Sequence, residues 1–423
     1  MKRKLLGIGA LVLVLALLVT LMPACGKEKE EVTPTPGVTP TPGVTPTPTP
    51  GVKTLKIGVM AVQSGPAAGW GIPHVVGTQW AADVINERGG FKIGGDTYMI
   101  EVSNCDSKYL ASAAADCAAK FVFDEGIHYI IGPNAPSGTR SAWTITQPNK
   151  AFQVSIGMFA DPSPELPYYF QDFPVGWDGV WVSSFLTELL EDRPDIETVA
   201  LINQTWAKED WMVMERRVTE EFGLTVVAEE TYDMGTVDFY PILTKIVAKN
   251  PDAIGLESTD PGSMALIIKQ ARELGYQGIF YAPNSTQPEY LIPITGVEAA
   301  NEFYNNGMDL TSPVWPEETR ALGEDYARRY PDLAFYTPTM SAWIIVNMWI
   351  KAMQEAGTTD SEAVLAVIDD PDFTFEYFGF PEEVRFGGKE YYGIDRILPM
   401  PNPYGVYRDG EFVQLGYGWA ISP

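Results

Sequence analysis

Short apolar runs alternate with segments of helical periodicity from Leu55 to near the end of the chain. The apolar runs are typical of buried β-strands, and the segments between them place apolar residues on one face of a helix. Strands that alternate with helices favour parallel sheets with helices on both faces. Because the alternation occurs in two series, we predict an α/β protein with two doubly wound parallel-sheet lobes.

The first series lies within residues 55–156 and the second within residues 179–283. In the first series we predict strands at residues 55–61, 98–104, 128–132 and 151–156. We predict one helix at residues 77–87, a second that Asp106 or Ser107 caps, and a third that begins at about Ser137. In the second we predict strands at 198–203, 224–232, 252–257 and 278–283, and helices at 179–190, 210–222, 239–249 and 262–274. Long helices at 317–329 and 339–355 and a hairpin around Asp409 and Gly410 follow.

Residues 1–24 have the pattern of a secretory signal, with three basic residues, an apolar run and Ala24 directly before Cys25. The alternative is a retained membrane anchor, because the apolar run is nearly long enough to span a bilayer. The stretch "MPACGKEKEE" resembles a bacterial lipoprotein cleavage site. That resemblance implies that Cys25 becomes a lipidated N-terminus, which tethers a protein to a bilayer without spanning it.

Residues 25–53 form a linker that contains the Thr-Pro repeat "TPTPGVTPTPGVTPTPTPG". Proline fixes φ and favours an extended polyproline II chain, so this segment predicts a semi-stiff spacer that buries no core. An anchor and a spacer together predict a protein held just off the outer face of the cytoplasmic membrane, in the periplasm or at the cell surface.

Length and charge narrow the organisation and the possible partners. The chain has 423 residues, which is too many for one ordinary core, so two domains are expected. Its net charge of −26 repels nucleic acid and anionic lipid. We therefore expect no nucleic-acid partner, and contact with the membrane only through the lipid anchor.

Three cysteines are present, and Cys25 is assigned to the lipid. The remaining pair, Cys105 and Cys117, predicts a disulfide in an exported protein, with two free buried thiols as the alternative. The chain has no CxxC motif and only two histidines, so a structural zinc site is not expected. We predict neither a metal nor a cofactor.

The stretch "LKIGVMAVQSGPAAGWG" sets Trp70 among the smallest residues directly after the first predicted strand. Its glycines fit neither phosphate-binding spacing, G-x-G-x-x-G or G-x-x-x-x-G-K-[ST]. Two interpretations remain: Trp70 covers the edge of the sheet, or it forms one wall of a ligand cleft. Ligands of such sheets bind beyond the carboxyl ends of the strands, where this stretch lies.

Four stretches, "KIGVMAVQSGPAAGWG", "GTQWAADVINERGG", "DEGIHYIIGP" and "KQARELGY", resemble the type I periplasmic solute-binding proteins of ABC transporters, in the branched-chain amino acid and amide-binding group. The resemblance implies two lobes joined by a three-strand hinge, which close on a small-molecule ligand and are read by the permease subunits of an ABC transporter. It implies a first lobe of residues 53–172 plus 310–383 and a second of 173–309 plus 384–423.

The chain departs from this family where its amino-acid binders hold their ligand. Ala135 and Pro136 replace the usual Ser-Ser or Ser-Gly, and proline has no N–H to give to a carboxylate. Met158 and Phe159, after Gly157, replace Ala-Thr, and Asn284 replaces the acid that usually takes the α-ammonium group. These changes argue against leucine, isoleucine or valine as the ligand, because a buried charged group without its partners is costly.

Aromatic and polar residues at strand ends supply the remaining candidates for ligand contact. The rings at or near strand ends are Trp70, Phe159, Trp206 and Tyr281; Trp177 and Trp181 follow the crossover, and Tyr336 precedes the long last helix. Asn134, Ser137 and Thr139 offer donors, although they equally suit helix capping. Lys208 suits an anionic group and Asp260 a donor, with surface exposure as the alternative for both. This set favours an aromatic or amide-like ligand over a zwitterion.

Two other classes use the same architecture. A hydrolase would need a serine beside a histidine, but His74 lies near a helix start, His128 begins a strand, and no G-x-S-x-G motif is present. Adjacent acidic pairs such as Glu229 and Glu230 point in different directions and indicate solvated surface. We therefore expect no enzyme. A binding protein that senses its ligand without transporting it remains an alternative.

Overall fold

The structure is a computed structural model that describes residues 51–65, 67–155, 160–173, 179–284 and 288–421. The predicted signal, the predicted lipidation site Cys25 and most of the predicted linker lie outside the described residues, as do Gly157, Met158, Phe159 and Trp177. Within the described residues, no helix has the length and apolar character that crossing a membrane requires.

The described residues form fifteen strands and thirteen α-helices. The strands are β1 Val52–Ala61, β2 Phe91–Ile93, β3 Asp96–Asp106, β4 Tyr129–Ile131, β5 Phe152–Ser155, β6 Tyr169–Gln171, β7 Thr198–Gln204, β8 Thr225–Tyr232, β9 Ala253–Gly255, β10 Ile279–Ala282, β11 Phe303–Asn305, β12 Phe375–Glu376, β13 Glu383–Val384, β14 Met400–Arg408 and β15 Glu411–Ile421. The helices are α1 Ala68–Glu87, α2 Ala111–Ala119, α3 Pro136–Thr146, α4 Val180–Asp192, α5 Trp211–Glu221, α6 Tyr240–Val247, α7 Pro261–Glu273, α8 Pro288–Thr295, α9 Val297–Ala300, α10 Glu317–Arg329, α11 Thr337–Ala356, α12 Ser361–Ile368 and α13 Lys389–Tyr392.

Two mainly parallel sheets confirm the predicted fold class. The first has the order β2-β3-β1-β4-β5-β6, and every neighbouring pair is parallel except β2 with β3. The second has the order β15-β14-β11-β10-β9-β7-β8. Its strands from β8 to β11 are parallel, and the predicted hairpin, β14 with β15, adds two antiparallel strands.

Both sheets bury side chains on both faces, as a doubly wound sheet requires. In β4, Tyr129 and Ile131 belong to one buried cluster and Ile130 to another. In β7, Leu201 and Ile202 likewise belong to different clusters. Successive strand residues point to opposite faces, so each run of buried residues supplies two cores at once.

Helices α1 and α11 form the most extensive helix pair among the described residues, although 249 residues lie between the end of α1 and the start of α11. The ring of Trp80 on α1 lies 4.0 Å from that of Trp343 on α11, measured between centroids. Gly77 lies where a side chain would meet the backbone of Thr339, so the two helices approach closely. A late segment of the chain thus returns to the first sheet.

Three segments cross between the sheets: one after β6, one after β11 and one before β14. The segment before β14 is hydrogen-bonded to Gln171, the last residue of β6. The Gln171 N–H donates to the Arg396 carbonyl at 2.8 Å, and the Leu398 N–H donates to the Gln171 carbonyl at 2.9 Å. These bonds hold the segment before β14 against the end of the first sheet.

Two local predictions were wrong and one was confirmed. The glycine-rich stretch around Trp70 is not a loop, because α1 begins at Ala68 and contains Pro73. Neither Asp106 nor Ser107 caps α2, whose N-cap is Leu110 without a side-chain bond. The predicted disulfide between Cys105 on β3 and Cys117 on α2 is present, with 5.6 Å between the Cα atoms.

Candidate ligand-binding cleft

A cleft lies where the carboxyl ends of strands from both sheets meet. Trp70 and Asn134 follow β1 and β4 of the first sheet, and Trp206, Glu257 and Asn284 follow β7, β9 and β10 of the second. The volume of this cleft that is accessible to water is about 70 Å³. This position agrees with the rule that ligands of open α/β sheets bind beyond the carboxyl ends of the strands.

Most of the cleft wall is aromatic or proline. The remaining residues of this kind that line it are Pro73, Tyr109, Phe173, Trp181, Pro283 and Pro338. The Trp181 indole N–H donates to the Pro283 carbonyl at 2.5 Å, and the Trp206 N–H donates to Gln204 Oε1 at 2.5 Å. The indole N–H of Trp70 has no partner among the described residues. The wall therefore offers ring faces and few polar groups.

The small residues around Trp70 have a steric cause. Gly71 packs so closely on Val62 that any side chain would overlap the Val62 backbone. This contact lets α1 begin directly after β1 and presents Trp70 at the end of the strand. A bulkier residue at position 71 would move the helix and the indole away.

Asn134 lines the cleft but already has its hydrogen-bond partners. Its Oδ1 accepts from the Val62 N–H at 3.1 Å, and its Nδ2 donates to the Trp70 carbonyl at 3.0 Å. Nδ2 also lies 3.3 Å from Nδ1 of His74. Asn134 thereby positions the start of α1 against the loop after β4, and little of its side chain is left for a ligand.

A buried polar group, His74 with Asp172 and Ser341, lies behind this wall. The imidazole Nε2 of His74 is 2.7 Å from Oδ2 of Asp172, and both side chains are 1% exposed. The Ser341 hydroxyl lies 3.1 Å from the same carboxylate oxygen and 3.1 Å from the Pro338 carbonyl. Because the serine contacts the carboxylate and not the imidazole, the arrangement is not that of an activated nucleophile. It joins α1 and α11 to the end of β6.

Glu257 is the one carboxyl group among the described residues that line the cleft. It is 4% exposed, and its Oε2 has no hydrogen-bond partner among the described residues. Burial, with a smaller contribution from nearby Glu215, raises the pKa of Glu257 well above its ordinary value. Burial also raises the pKa of Glu215 on α5 to about 7, although its Oε2 accepts from Asn203 Nδ2 at 2.8 Å.

Of the residues predicted to contact a ligand, four line the cleft: Trp70, Asn134, Trp206 and Asn284. Asn284 donates through Nδ2 to the Glu257 carbonyl at 3.1 Å. Lys208 is exposed in the turn before α5 and is not part of the lining. The predicted contacts Met158 and Phe159 lie outside the described residues.

The other predicted residues lie beside the cleft lining. Ala135 is the buried N-cap of α3, and Pro136 and the exposed Ser137 form its first turn, which no side chain caps. Tyr336 is the buried N-cap residue of α11. Asp260 is also buried, and its carboxylate accepts from the Ser263 N–H at 3.0 Å and from Gln204 Nε2 at 2.9 Å. Its side chain therefore caps α7.

The sequence reasoning missed Tyr109, Glu257 and Ser258. Glu257 and Ser258 directly follow the apolar run of β9, which is a signal that was available. Tyr109 follows β3 in a turn and has a φ of 60°, which its side-chain type does not indicate. The Ser258 hydroxyl, like the free oxygen of Glu257, is buried and has no partner among the described residues.

The amino-acid sequence of the chain is similar to those of periplasmic binding proteins. A family model described as periplasmic binding protein matches residues 54–389. The leucine-, isoleucine-, valine-, threonine- and alanine-binding protein of Pseudomonas aeruginosa is 24% identical over 320 residues, which are 74% of this chain and 81% of that protein. The Leu/Ile/Val-binding protein of Escherichia coli is 24% identical over 268 residues, 61% of this chain and 67% of that protein.

Solved structures share the fold. The branched-chain amino acid transporter substrate-binding protein LivJ from Streptococcus pneumoniae, in complex with isoleucine, aligns with a TM-score of 0.71 and 20% identity over 86% of this chain and 99% of that chain. An ABC transporter solute-binding protein from R. palustris, in complex with benzoate, aligns with a TM-score of 0.68 and 14% identity over 86% of this chain and 96% of that chain. Since the family match spans well over half of the chain, this protein belongs to the periplasmic binding protein family.

Proposed function

We propose that the chain is an exported solute-binding protein, anchored through a lipid on Cys25, that captures a small organic ligand between two closing lobes. It delivers this ligand to the permease subunits of an ABC importer. The observation that carries the proposal is the cleft itself, whose aromatic wall is built from residues that follow strands of both sheets. Membership of the family and the signal pattern of residues 1–24 support it.

The lobes in this proposal are residues 53–172 plus 310–383 and residues 173–309 plus 384–423, with the crossing segments as the hinge. A hinge lets packed lobes move as rigid bodies, because only the few residues that connect them change conformation. Closure is favoured only when the ligand contacts both lobes at once. Trp70 on one side and Trp206 on the other are placed to make such contacts.

The ligand in this proposal is an aromatic or amide-like compound and not a plain branched-chain amino acid. At the start of α3, Pro136 has no N–H and Ala135 has no hydroxyl for a ligand carboxylate. Asn284 stands at the position where the amino-acid binders carry an acid, and its amide already donates to the Glu257 carbonyl. Ring faces suit a flat or apolar body, which gains by leaving water.

Calorimetry on the purified chain tests the proposal. We expect a panel of small aromatic and amide compounds to contain a binder, and leucine to bind at least tenfold more weakly than that compound. Trp70→Ala and Trp206→Ala should weaken this binding, whereas Tyr391→Ala, at an exposed ring on α13, should not. Tight leucine binding would refute the ligand class, and the absence of any ligand-induced stabilisation across the panel would refute solute binding.

The anchor is tested separately in cells. Wild-type protein should fractionate with membranes, and Cys25→Ser should release it or leave its signal uncleaved. A variant that stays with the membrane with its signal removed would show that Cys25 is not the attachment point.

A further inference from the structure

The described lining of the cleft contains one acidic side chain and no basic side chain. Among the described residues that line it, Glu257 is the only ionisable carboxyl group, and none is lysine, arginine or histidine. A carboxylate removed from water without a partner is strongly disfavoured, so proteins seldom retain one without a use. Its free Oε2 is a polar atom that the protein itself leaves unpaired.

The neighbours of Glu257 do not compensate its charge. The titratable groups that act on it are Glu215 on α5 and Tyr281 on β10, and neither carries a positive charge. Asn284 donates to the backbone carbonyl of Glu257 and not to its carboxyl group. Lys208 is exposed outside the lining. The described residues therefore supply no partner for this carboxyl group, and a bound ligand would have to supply one.

The aromatic wall favours the same kind of partner. The faces of indole, phenol and phenyl rings carry partial negative charge and attract ammonium groups within about 6 Å, more strongly where water is excluded. Trp70 and Tyr109 lie 5.7 Å apart and Phe173 and Trp181 4.1 Å apart, measured between ring centroids. Rings alone would also accept an uncharged body, but rings around an unpaired carboxyl group select a cation.

We propose that the ligand carries a positively charged ammonium group, which pairs with the carboxylate of Glu257 between the aromatic side chains of the cleft. This inference rests on the proposed function and adds the charge of the ligand. The same site disfavours anions and carboxylate head groups, because the described lining supplies no cation to pair with them.

Binding of a cation should release a proton. Burial raises the pKa of Glu257 well above its ordinary value, so its carboxyl group keeps its proton to a higher pH than an exposed glutamate does. A bound ammonium group favours the charged form, and the proton passes to the buffer. Cation binding should therefore weaken as pH falls. Glu215 also titrates near pH 7, so its contribution must be measured separately.

The test uses cations and a neutral compound of the same shape. Tetramethylammonium, choline and 3,3-dimethylbutan-1-ol, in which carbon replaces the charged nitrogen of choline, are titrated into the purified chain by calorimetry. Each titration is run at pH 7 in phosphate and in Tris, whose different ionisation enthalpies report proton release. The variants are Glu257→Gln, which keeps the shape and removes the charge, Glu215→Gln, and Glu188→Gln at a half-buried carboxyl group on α4 outside the cleft.

We expect choline or tetramethylammonium to bind at least tenfold more tightly than the neutral alcohol, with release of a proton. Glu257→Gln should abolish both the preference and the proton release, whereas Glu188→Gln and Glu215→Gln should retain the preference. Without added ligand, unchanged thermal unfolding of Glu257→Gln would show that the variant is folded. Trp70→Ala leaves the carboxyl group in place and should independently lower the affinity for both cations.

Three results would overturn the inference: equal affinity for the neutral alcohol, an unchanged preference in Glu257→Gln, or no binding by either cation. A neutral or anionic compound that binds and stabilises the protein in the same calorimetric experiment would refute the cation while leaving solute binding intact. A chain that no compound stabilises would refute both proposals.

Discussion

Replacing His74 by alanine removes one partner of a buried hydrogen-bonded pair, in which Nε2 of His74 lies 2.7 Å from Oδ2 of Asp172. The carboxylate of Asp172 would keep the Ser341 hydroxyl on Oδ2, while its Oδ1 has no partner among the described residues. Leaving a buried polar group without its hydrogen-bond partner costs about 1–3 kcal/mol, and more when that group is charged. Both side chains are 1% exposed, so we expect His74→Ala to lower the free energy of unfolding by this amount.

The assay is urea unfolding followed by tryptophan fluorescence and circular dichroism. The chain contains one other histidine, the half-buried His128, so His128→Ala is a matched control with an expected loss of about 1 kcal/mol or less. Adding Asp172→Asn to His74→Ala should recover about 1–3 kcal/mol, since the buried group is then neutral. The reasoning is refuted if His74→Ala is no more destabilising than His128→Ala, or if the double variant recovers nothing.

Three further changes test other contacts. Replacing Cys105 and Cys117 by serine should lower the free energy of unfolding by about 3 kcal/mol, from the entropy of the released loop, and reduced wild type should match it; a loss below about 1 kcal/mol would contradict this. Burial raises the pKa of Glu215 from 4.5 to about 7, so the folded state holds its proton more tightly and stability falls as pH rises between these values. Glu215→Gln should remove that decline, so the variant should be more stable than wild type by about 3 kcal/mol at pH 8 and by less at pH 5. Parallel pH profiles of the two proteins in urea unfolding would contradict this prediction. Gly77→Ala should lower the free energy of unfolding by about 1–3 kcal/mol in the same assay, because the new methyl group overlaps the backbone of α11. Gly95→Ala adds a methyl group in open space and should change this free energy little, and equal effects of the two variants would refute the close approach of the helices.

Much of the fold could be predicted because the two series of strands and helices are locally encoded. Helix α10 lies at residues 317–329, where the acidic start and basic end of the segment predict it. The start of α1 could not be predicted in this way. Gly71 and Pro73 favour a turn when only their neighbours are considered. They are accommodated in a helix because Gly71 packs against Val62, a contact that appears only in the folded chain.

The candidate site was partly predictable for a similar reason. Trp70, Trp206 and Asn284 line the cleft because each follows the carboxyl end of a strand, a position that the predicted alternation already defines. Glu257 has the same kind of position, but an acidic residue after a short apolar run is typical of solvent exposure. Its burial depends on α5 and β10, which come from distant parts of the chain.

The late return of the chain to both sheets has a consequence for biosynthesis. Helix α11 packs on α1 only after β11 has been made, and the β14–β15 hairpin joins the second sheet last of all. Without residues 400–421, β11 remains an uncovered edge strand, which favours pairing with other chains. A chain of this topology completes its second sheet only when the β14–β15 hairpin is present, so a variant that lacks residues 400–421 should aggregate and not form a smaller working domain.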